Sequence, residues 1–138
     1  MTLTKILLAY DGSEHSQKAL EWLQKFAEPT TILIVIATVL EFPADLEIGM
    51  GIAVKSIRKS LKARLGNIEQ VLIESGLSAK TIVLQGDPAS QLIQCAAKER
   101  VDLIICGTRG LGGFESLLLG SVANKLVTHS PVPVLVIK

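Results

Sequence analysis

The sequence predicts an α/β domain built on a doubly wound parallel sheet of five strands. Short, nearly continuous aliphatic runs recur along the chain without the polar alternation of half-exposed strands. Each run is therefore typical of a strand covered on both faces. Segments with the three-and-four spacing of helices separate the runs. Because parallel strands need a crossover, this alternation favours a parallel sheet with about four helices on its two faces.

The five predicted strands are rich in Ile, Leu and Val. They cover residues 5–9, 32–39, 81–84, 103–106 and 132–137. A chain of 138 residues with 49% hydrophobic content has enough apolar side chains for one well-filled core and is too short to favour two. We therefore expect a single domain over residues 1–138.

Four helical segments connect the strands. Capping residues favour helix starts, while proline and glycine favour helix ends. These residues give the following bounds: Ser13 and Pro29 for the first helix, Gly76 at the end of the second, Asp87 and Pro88 at the start of the third, and Ser121 and Pro131 for the fourth.

Composition narrows the classes of function. The net charge of +1 gives no basic footprint for nucleic acid or an anionic membrane. The first residues lack the length of a signal peptide, and no apolar run approaches the ~20 residues that span a bilayer. Cys95 and Cys106 have no metal-ligand or CxxC spacing. We therefore expect a cytoplasmic protein with neither a metal site nor a disulfide.

A cluster of glycines follows the fourth predicted strand and leads into the fourth helix. The free amides at the start of a helix, together with the positive end of its dipole, suit a phosphate group. No Gly-Lys-Ser/Thr follows, so the segment is not a P-loop. The alternative interpretation is that the glycines only make tight turns and Ser121 only caps its helix. The cluster consists of Gly107, Gly110, Gly112, Gly113 and Gly120.

The spacing of this cluster is specific. Gly107, two residues, Gly110, nine residues, then Gly120 and Ser121 resembles the signature of the ATP-binding branch of the universal stress protein family. Residues 6–13, 86–88, 102–107 and 130–137 also resemble segments of that family, in the same order. The resemblance covers the whole chain and implies ATP, alone or with Mg²⁺, as the ligand.

The resemblance also implies roles for individual residues. Asp11 would accept hydrogen bonds from the adenosine; its alternative role is to cap the helix that begins near Ser13. Arg109 would shield phosphate charge. The other implied contacts are the turn residues Gly12 and Ser13, the adenine-reading backbone of Ile36 and Ala37, Gly107 beneath the ribose, and the phosphate loop with Gly110, Gly112, Gly113, Gly120, Ser121 and Val122.

The family likeness further implies the strand order 3-2-1-4-5, which the sequence itself does not fix, and a homodimer formed through the C-terminal edge strand, residues 132–137. The function it implies is an ATP-binding stress-response regulator that acts on an unknown protein partner. The alternatives are a slow ATPase and a homodimeric scaffold without nucleotide dependence. Neither His15 nor His129 lies in a catalytic motif, so we expect at most slow hydrolysis.

Overall fold

The computed structural model describes residues 3–26, 32–41, 51–109 and 119–138. Strands and helices alternate throughout these ranges. The elements are β1 (Lys5–Ala9), α1 (Glu14–Phe26), β2 (Leu33–Leu40), α2 (Gly51–Glu74), β3 (Ser78–Gln85), α3 (Pro88–Glu99), β4 (Leu103–Gly107), α4 (Ser121–His129) and β5 (Val134–Ile137). All paired strands are parallel, and the sheet order is β3-β2-β1-β4-β5. The predicted fold class and strand order are confirmed.

The central strands are covered on both faces, as the aliphatic runs predict. Alternate residues of β1 enter different cores: Ile6 and Leu8 pack with Leu23 of α1 and Leu65 of α2, whereas Leu7 packs on the opposite face. That second core includes side chains from α3 and α4, among them Leu92 and Leu126. Among the described helices, α1 and α2 therefore pack on one face of the sheet, and α3 and α4 pack on the other. Because a shift of one residue would move each side chain to the wrong face, this packing fixes the register of the strands.

The two edge strands differ from their predicted bounds. β3 begins at Ser78 rather than residue 81, because its polar start still pairs with β2 along the whole ladder. β5 begins at Val134 rather than residue 132, after a turn in which the Ser130 hydroxyl donates to the Val132 carbonyl at 2.8 Å. Both strands are only half-buried over most of their length, unlike the strands between them.

Capping accounts for two of the helix starts. The Ser13 hydroxyl accepts a hydrogen bond from the Ser16 amide at 3.2 Å. Asp87 caps α3 by accepting from the amide and hydroxyl of Ser90, and these bonds hold the pKa of the Asp87 carboxyl below its usual value. α4 differs, because its N-cap is Gly120 and Ser121 is already helical, so Ser121 does not cap the helix.

Polar side chains tie the amino ends of the strands together. Asp102 accepts hydrogen bonds from the backbone amides of Thr4 and Lys5, and these bonds lower the pKa of its carboxyl. Glu99 lies 2.7 Å from Lys80 and 2.9 Å from Lys5, and both ammonium groups lower the pKa of its carboxyl. Hydrogen bonds and ion pairs therefore link β1 to β3 and to the residue before β4 at this end of the sheet. Within the described ranges, no helix has both the length and the apolar character to cross a membrane.

Candidate functional site

A crevice of about 690 Å³ opens at the carboxyl ends of the central strands. Its floor is formed by the ends of β1, β2 and β4, and one wall is formed by the first turn of α4. Among the described residues, Ser16 of α1, Leu61 of α2 and Pro88 and Leu92 of α3 also line the crevice. Parallel α/β sheets bind ligands at this position, and the volume lies in the usual range for small-molecule sites.

The first turn of α4 supplies the groups suited to an anion. Ser121, Val122 and Ala123 all line the crevice. The first hydrogen bond within the helix runs from the Asn124 amide to the Gly120 carbonyl at 2.9 Å, so the helix provides no acceptor for the three amides before it. Since the N-cap glycine has no side chain, no capping group of its own occupies this helix end. The predicted phosphate-facing roles of Ser121 and Val122 fit this geometry.

Gly120 has a different role from the one predicted. Its amide donates to the Thr108 carbonyl at 2.6 Å, so this amide is already engaged and does not point to a phosphate. A Cβ at Gly120 would lie 3.2 Å from the Arg109 Cα and 3.3 Å from the Thr108 oxygen. Glycine is needed here because the start of α4 packs directly on the chain that leaves β4.

Gly107 lines the crevice with its backbone, but another contact explains the absence of a side chain. A Cβ at this position would lie 2.6 Å from the Cβ of His15 and 2.7 Å from its carbonyl carbon. The predicted reason for this glycine was space beneath a ribose. The structure instead shows that the first turn of α1 occupies the place of the missing side chain.

The turn after β1 places Asp11 at the crevice, and Asp11 bonds within this turn rather than capping α1, whose cap is Ser13. Asp11 lines the crevice, and its Oδ1 accepts a hydrogen bond from the Ser13 amide at 2.9 Å. Gly12 adopts a φ of +84°, which favours glycine, and turns the chain into α1. Gly12 and Ser13 do not line the crevice, and Ser13 is buried as the α1 cap. Their contribution is to position Asp11.

The structure separates Ile36 and Ala37, the two β2 residues predicted to read the adenine. Ile36 is fully buried in the core beneath α1 and α2 and does not line the crevice. Ala37 does line it, but its carbonyl accepts from the Tyr10 amide at 2.9 Å. Ala9 is the last β1 residue paired with β2, which continues to Leu40. β2 therefore passes the end of β1.

Val39 occupies the overhanging part of β2 that the sequence did not identify. In a parallel strand, alternate residues direct their N–H and C=O groups to the same neighbour. Ala37 faces β1, while the Leu40 carbonyl accepts from Gly86 on the β3 side. Val39 therefore presents a donor and an acceptor toward the β1 side, beyond the end of that strand, and it lines the crevice. Only the length of β1 relative to β2 reveals this position.

The remaining predicted residues divide between the crevice and the segments outside the described residues. Arg109, the residue predicted to shield phosphate charge, lines the crevice. Gly110, Gly112 and Gly113 lie outside the described residues, as do residues 42–50 between β2 and α2. Glu41, which directly follows β2, lines the crevice as a second carboxylate in addition to Asp11.

The side chains that line the described part of the crevice are suited to binding a ligand rather than to reacting with it. Burial raises the pKa of the Cys106 thiol to about 12, and burial together with the nearby Asp11 charge raises the pKa of the Tyr10 phenol. Both groups stay protonated at neutral pH. No histidine is among the described lining residues, and the described part of the chain contains no cluster of metal-ligating side chains.

The Cys106 thiol should resist alkylation. A pKa of about 12 leaves about a thousandfold less thiolate at pH 8 than an ordinary cysteine has. Iodoacetamide labelling of the folded protein, followed by peptide mass spectrometry, should be slower than labelling of glutathione by about that factor. The urea-unfolded protein is the control and should label at the ordinary rate. Equal rates for folded protein and glutathione would contradict the buried position.

The sequence is similar to a family model and to individual proteins of one family. A sequence model described as "Universal stress protein family" matches residues 2–138. A Thermus aquaticus protein named "Universal stress protein in QAH/OAS sulfhydrylase 3'region" is 36% identical, covering 96% of this chain and 97% of its own. Universal stress protein YxiE of Bacillus subtilis is 32% identical over 97% of this chain and 98% of its own.

Solved structures show the same architecture. The structure of MJ0577, a Methanocaldococcus jannaschii protein, has a TM-score of 0.91 and 28% identity, and the match covers 100% of this chain and 97% of that one. A universal stress protein in complex with cAMP has a TM-score of 0.71 at 23% identity, covering 100% and 98%. An Arabidopsis thaliana family member with AMP bound has a TM-score of 0.68 at 23% identity, covering 98% and 91%. The chain therefore belongs to the universal stress protein family.

Proposed function

We propose that this chain is a cytoplasmic, ATP-binding module that regulates a stress response through nucleotide occupancy. The observation that carries the proposal is the arrangement of one crevice. The first turn of α4 lies on one side, and Asp11 and the Val39 backbone lie at the ends of the neighbouring strands. An anion-binding helix end and a donor–acceptor edge in one cavity are complementary to the two ends of a nucleotide.

Each part of ATP has a matching group. The phosphates would lie at the amides of Ser121 and Val122, with Arg109 offsetting their charge. The Asp11 carboxylate would accept a hydrogen bond from the ribose, in addition to the one it accepts from the Ser13 amide. The backbone of Val39 would pair with the adenine edge, which has an acceptor nitrogen beside an amino donor.

The comparisons do not select an adenine nucleotide for this chain. The complexes with cAMP and AMP concern proteins 23% identical to this chain, so they show the shared fold. The choice of ATP rests on the intact spacing of Gly107, Gly110, Gly120 and Ser121 and on a cavity large enough for a triphosphate. A magnesium ion would be held chiefly by the phosphates.

Slow ATP hydrolysis is the second candidate function. Asp11 and Glu41 are the carboxylates that line the described part of the crevice, and either one near a γ-phosphate would orient a water molecule. Because no histidine is among the described lining residues, and no cluster of metal-ligating side chains is found among the described residues, we expect a turnover well below about one per second. Phosphate release measured under saturating ATP and magnesium would show whether this limit is exceeded.

A calorimetric titration of the wild-type protein with ATP and magnesium tests the proposed function. We expect saturable binding of one nucleotide per chain in the micromolar to millimolar range. No heat of binding at millimolar ATP would reject the nucleotide site and favour the scaffold without nucleotide dependence.

We also propose that the chain forms a homodimer through the β5 edge. The carbonyls of Pro133 and Ile137 accept hydrogen bonds from the β4 side, so Val134 and Val136 direct their backbone groups to the open edge. Proline at 136 would remove one outward donor and leave the β4 ladder intact. Light scattering should give a dimer mass for the wild type and Val136→Ala, and a monomer mass for Val136→Pro. A dimeric Val136→Pro protein would exclude this interface.

A further inference from the structure

Thr108 joins three elements behind the crevice. It follows β4 directly and is only 5% exposed. Its amide donates to the Ile137 carbonyl of β5 at 2.9 Å, and its carbonyl accepts from the Gly120 amide at the start of α4 at 2.6 Å. Its hydroxyl lies 3.0 Å from Nδ1 of His15 in α1. The amide, carbonyl and hydroxyl of one buried residue therefore each bond a different element.

His15 anchors this junction to α1. The Gly107 position leaves no room between β4 and the first turn of α1, because a Cβ there would lie 2.6 Å from the His15 Cβ. The imidazole is therefore held beside Thr108 by packing as well as by the hydrogen bond. Nδ1 is able either to accept from the hydroxyl or to donate to it, so the bond forms with either tautomer of the ring.

We propose that Thr108 is a positioning residue for the nucleotide site, and that its hydroxyl bond to His15 holds the amino end of α4 in place. The part of this inference that concerns nucleotide binding rests on the proposed function. Thr108 contacts no ligand group in this scheme, since its hydroxyl is directed to α1. It acts through the carbonyl that fixes Gly120, and Gly120 fixes where the amides of Ser121 and Val122 point.

The hydroxyl is the part of Thr108 that substitution removes most cleanly. Valine has nearly the same shape and keeps both backbone bonds, so Thr108→Val deletes only the bond to His15. Thr108→Ser restores the hydroxyl and loses only a methyl group. Thr128→Val is a matched control on α4, because that exposed hydroxyl bonds only to the Asn124 carbonyl within its own helix among the bonds described.

Amide hydrogen exchange of the ligand-free protein is the first readout. Loss of one hydrogen bond corresponds to roughly a threefold to tenfold effect. The Gly120 amide should exchange faster by about this factor in Thr108→Val, and at the wild-type rate in Thr108→Ser and Thr128→Val. An unchanged Gly120 rate in Thr108→Val would overturn the positioning role whether or not the protein binds ATP.

ATP titration of the same variants is the second readout. Thr108→Val should bind ATP and magnesium roughly threefold to tenfold more weakly, with Thr108→Ser and Thr128→Val within about twofold of the wild type. Combining Thr108→Val with His15→Ala should weaken binding no further than His15→Ala alone, because both changes break the same bond. Additive losses, or equal losses in the valine and serine variants, would overturn the proposal. No binding by the wild type would instead reject the proposed function and leave the exchange result to decide the positioning role.

Discussion

Replacing Ser121 by aspartate is expected to weaken ATP binding about a hundredfold without harming the fold. Ser121 is exposed and is the first residue of α4. A carboxylate in the first turn of a helix is favourable for the helix dipole, so the melting temperature should stay the same or rise. Beside a bound phosphate, the same charge repels by about 3 kcal/mol at a separation of roughly 5 Å, which weakens affinity about a hundredfold.

Two control variants separate charge from shape and from location. Ser121→Asn has nearly the shape of the aspartate variant without its charge and should bind ATP within about fivefold of the wild type. Gln94→Glu adds the same charge on the exposed face of α3, outside the crevice lining, and should bind normally. Calorimetric titration measures all three variants. Wild-type affinity in Ser121→Asp would mean that the phosphates do not lie at α4.

Replacing Gly107 by alanine is expected to destabilise the protein by about 3 kcal/mol, toward the upper end of overpacking costs. The new Cβ would lie 2.6 Å, 2.7 Å and 2.9 Å from the Cβ, carbonyl carbon and carbonyl oxygen of His15. Two of these atoms are backbone, so a rotamer change cannot relieve the clash and α1 must shift. Urea denaturation should show the loss as a lower midpoint with an unchanged slope.

Gly66→Ala provides the matched control for this prediction. Gly66 lies within α2, and a Cβ there would meet nothing within 4 Å. Alanine should therefore stabilise the protein by about 1 kcal/mol, because glycine weakens helix interiors. The pair also tests the interpretation of Gly107 as the ribose position. Wild-type stability in Gly107→Ala together with lost ATP binding would favour ligand contact as the reason for this glycine.

The predictable part of the fold depends on local patterns. The aliphatic runs identified all five strands, and the capping residues Ser13 and Asp87 located two helix starts, because these features act over a few residues. Strand order came from the family resemblance, because it depends on contacts between distant segments. The polar start of β3 was missed since pairing with β2 outweighs its composition.

The site was predictable in location but not in detail. The glycine spacing led to the crevice that we propose as the nucleotide site, yet it did not show that Ile36 is buried while Val39 lines the crevice, because the relative ends of β1 and β2 do not appear in either strand's sequence. The reasons for Gly107 and Gly120 were assigned to a ligand. In the structure, Gly107 is needed because it packs against His15, and Gly120 is needed because it packs against the chain that leaves β4. Both contacts join separate elements of the fold.

Nuclear magnetic resonance of the ¹⁵N-labelled wild-type protein during ATP and magnesium titration tests most directly whether this crevice is the nucleotide site. The chemical shifts of amides on both sides of the crevice should change together and saturate, with the largest changes at Val39, Ser121, Val122 and Ala123. Absence of any shift at millimolar ATP, or saturable shifts confined to the exposed face of α2 or to β5, would contradict the assignment of this crevice.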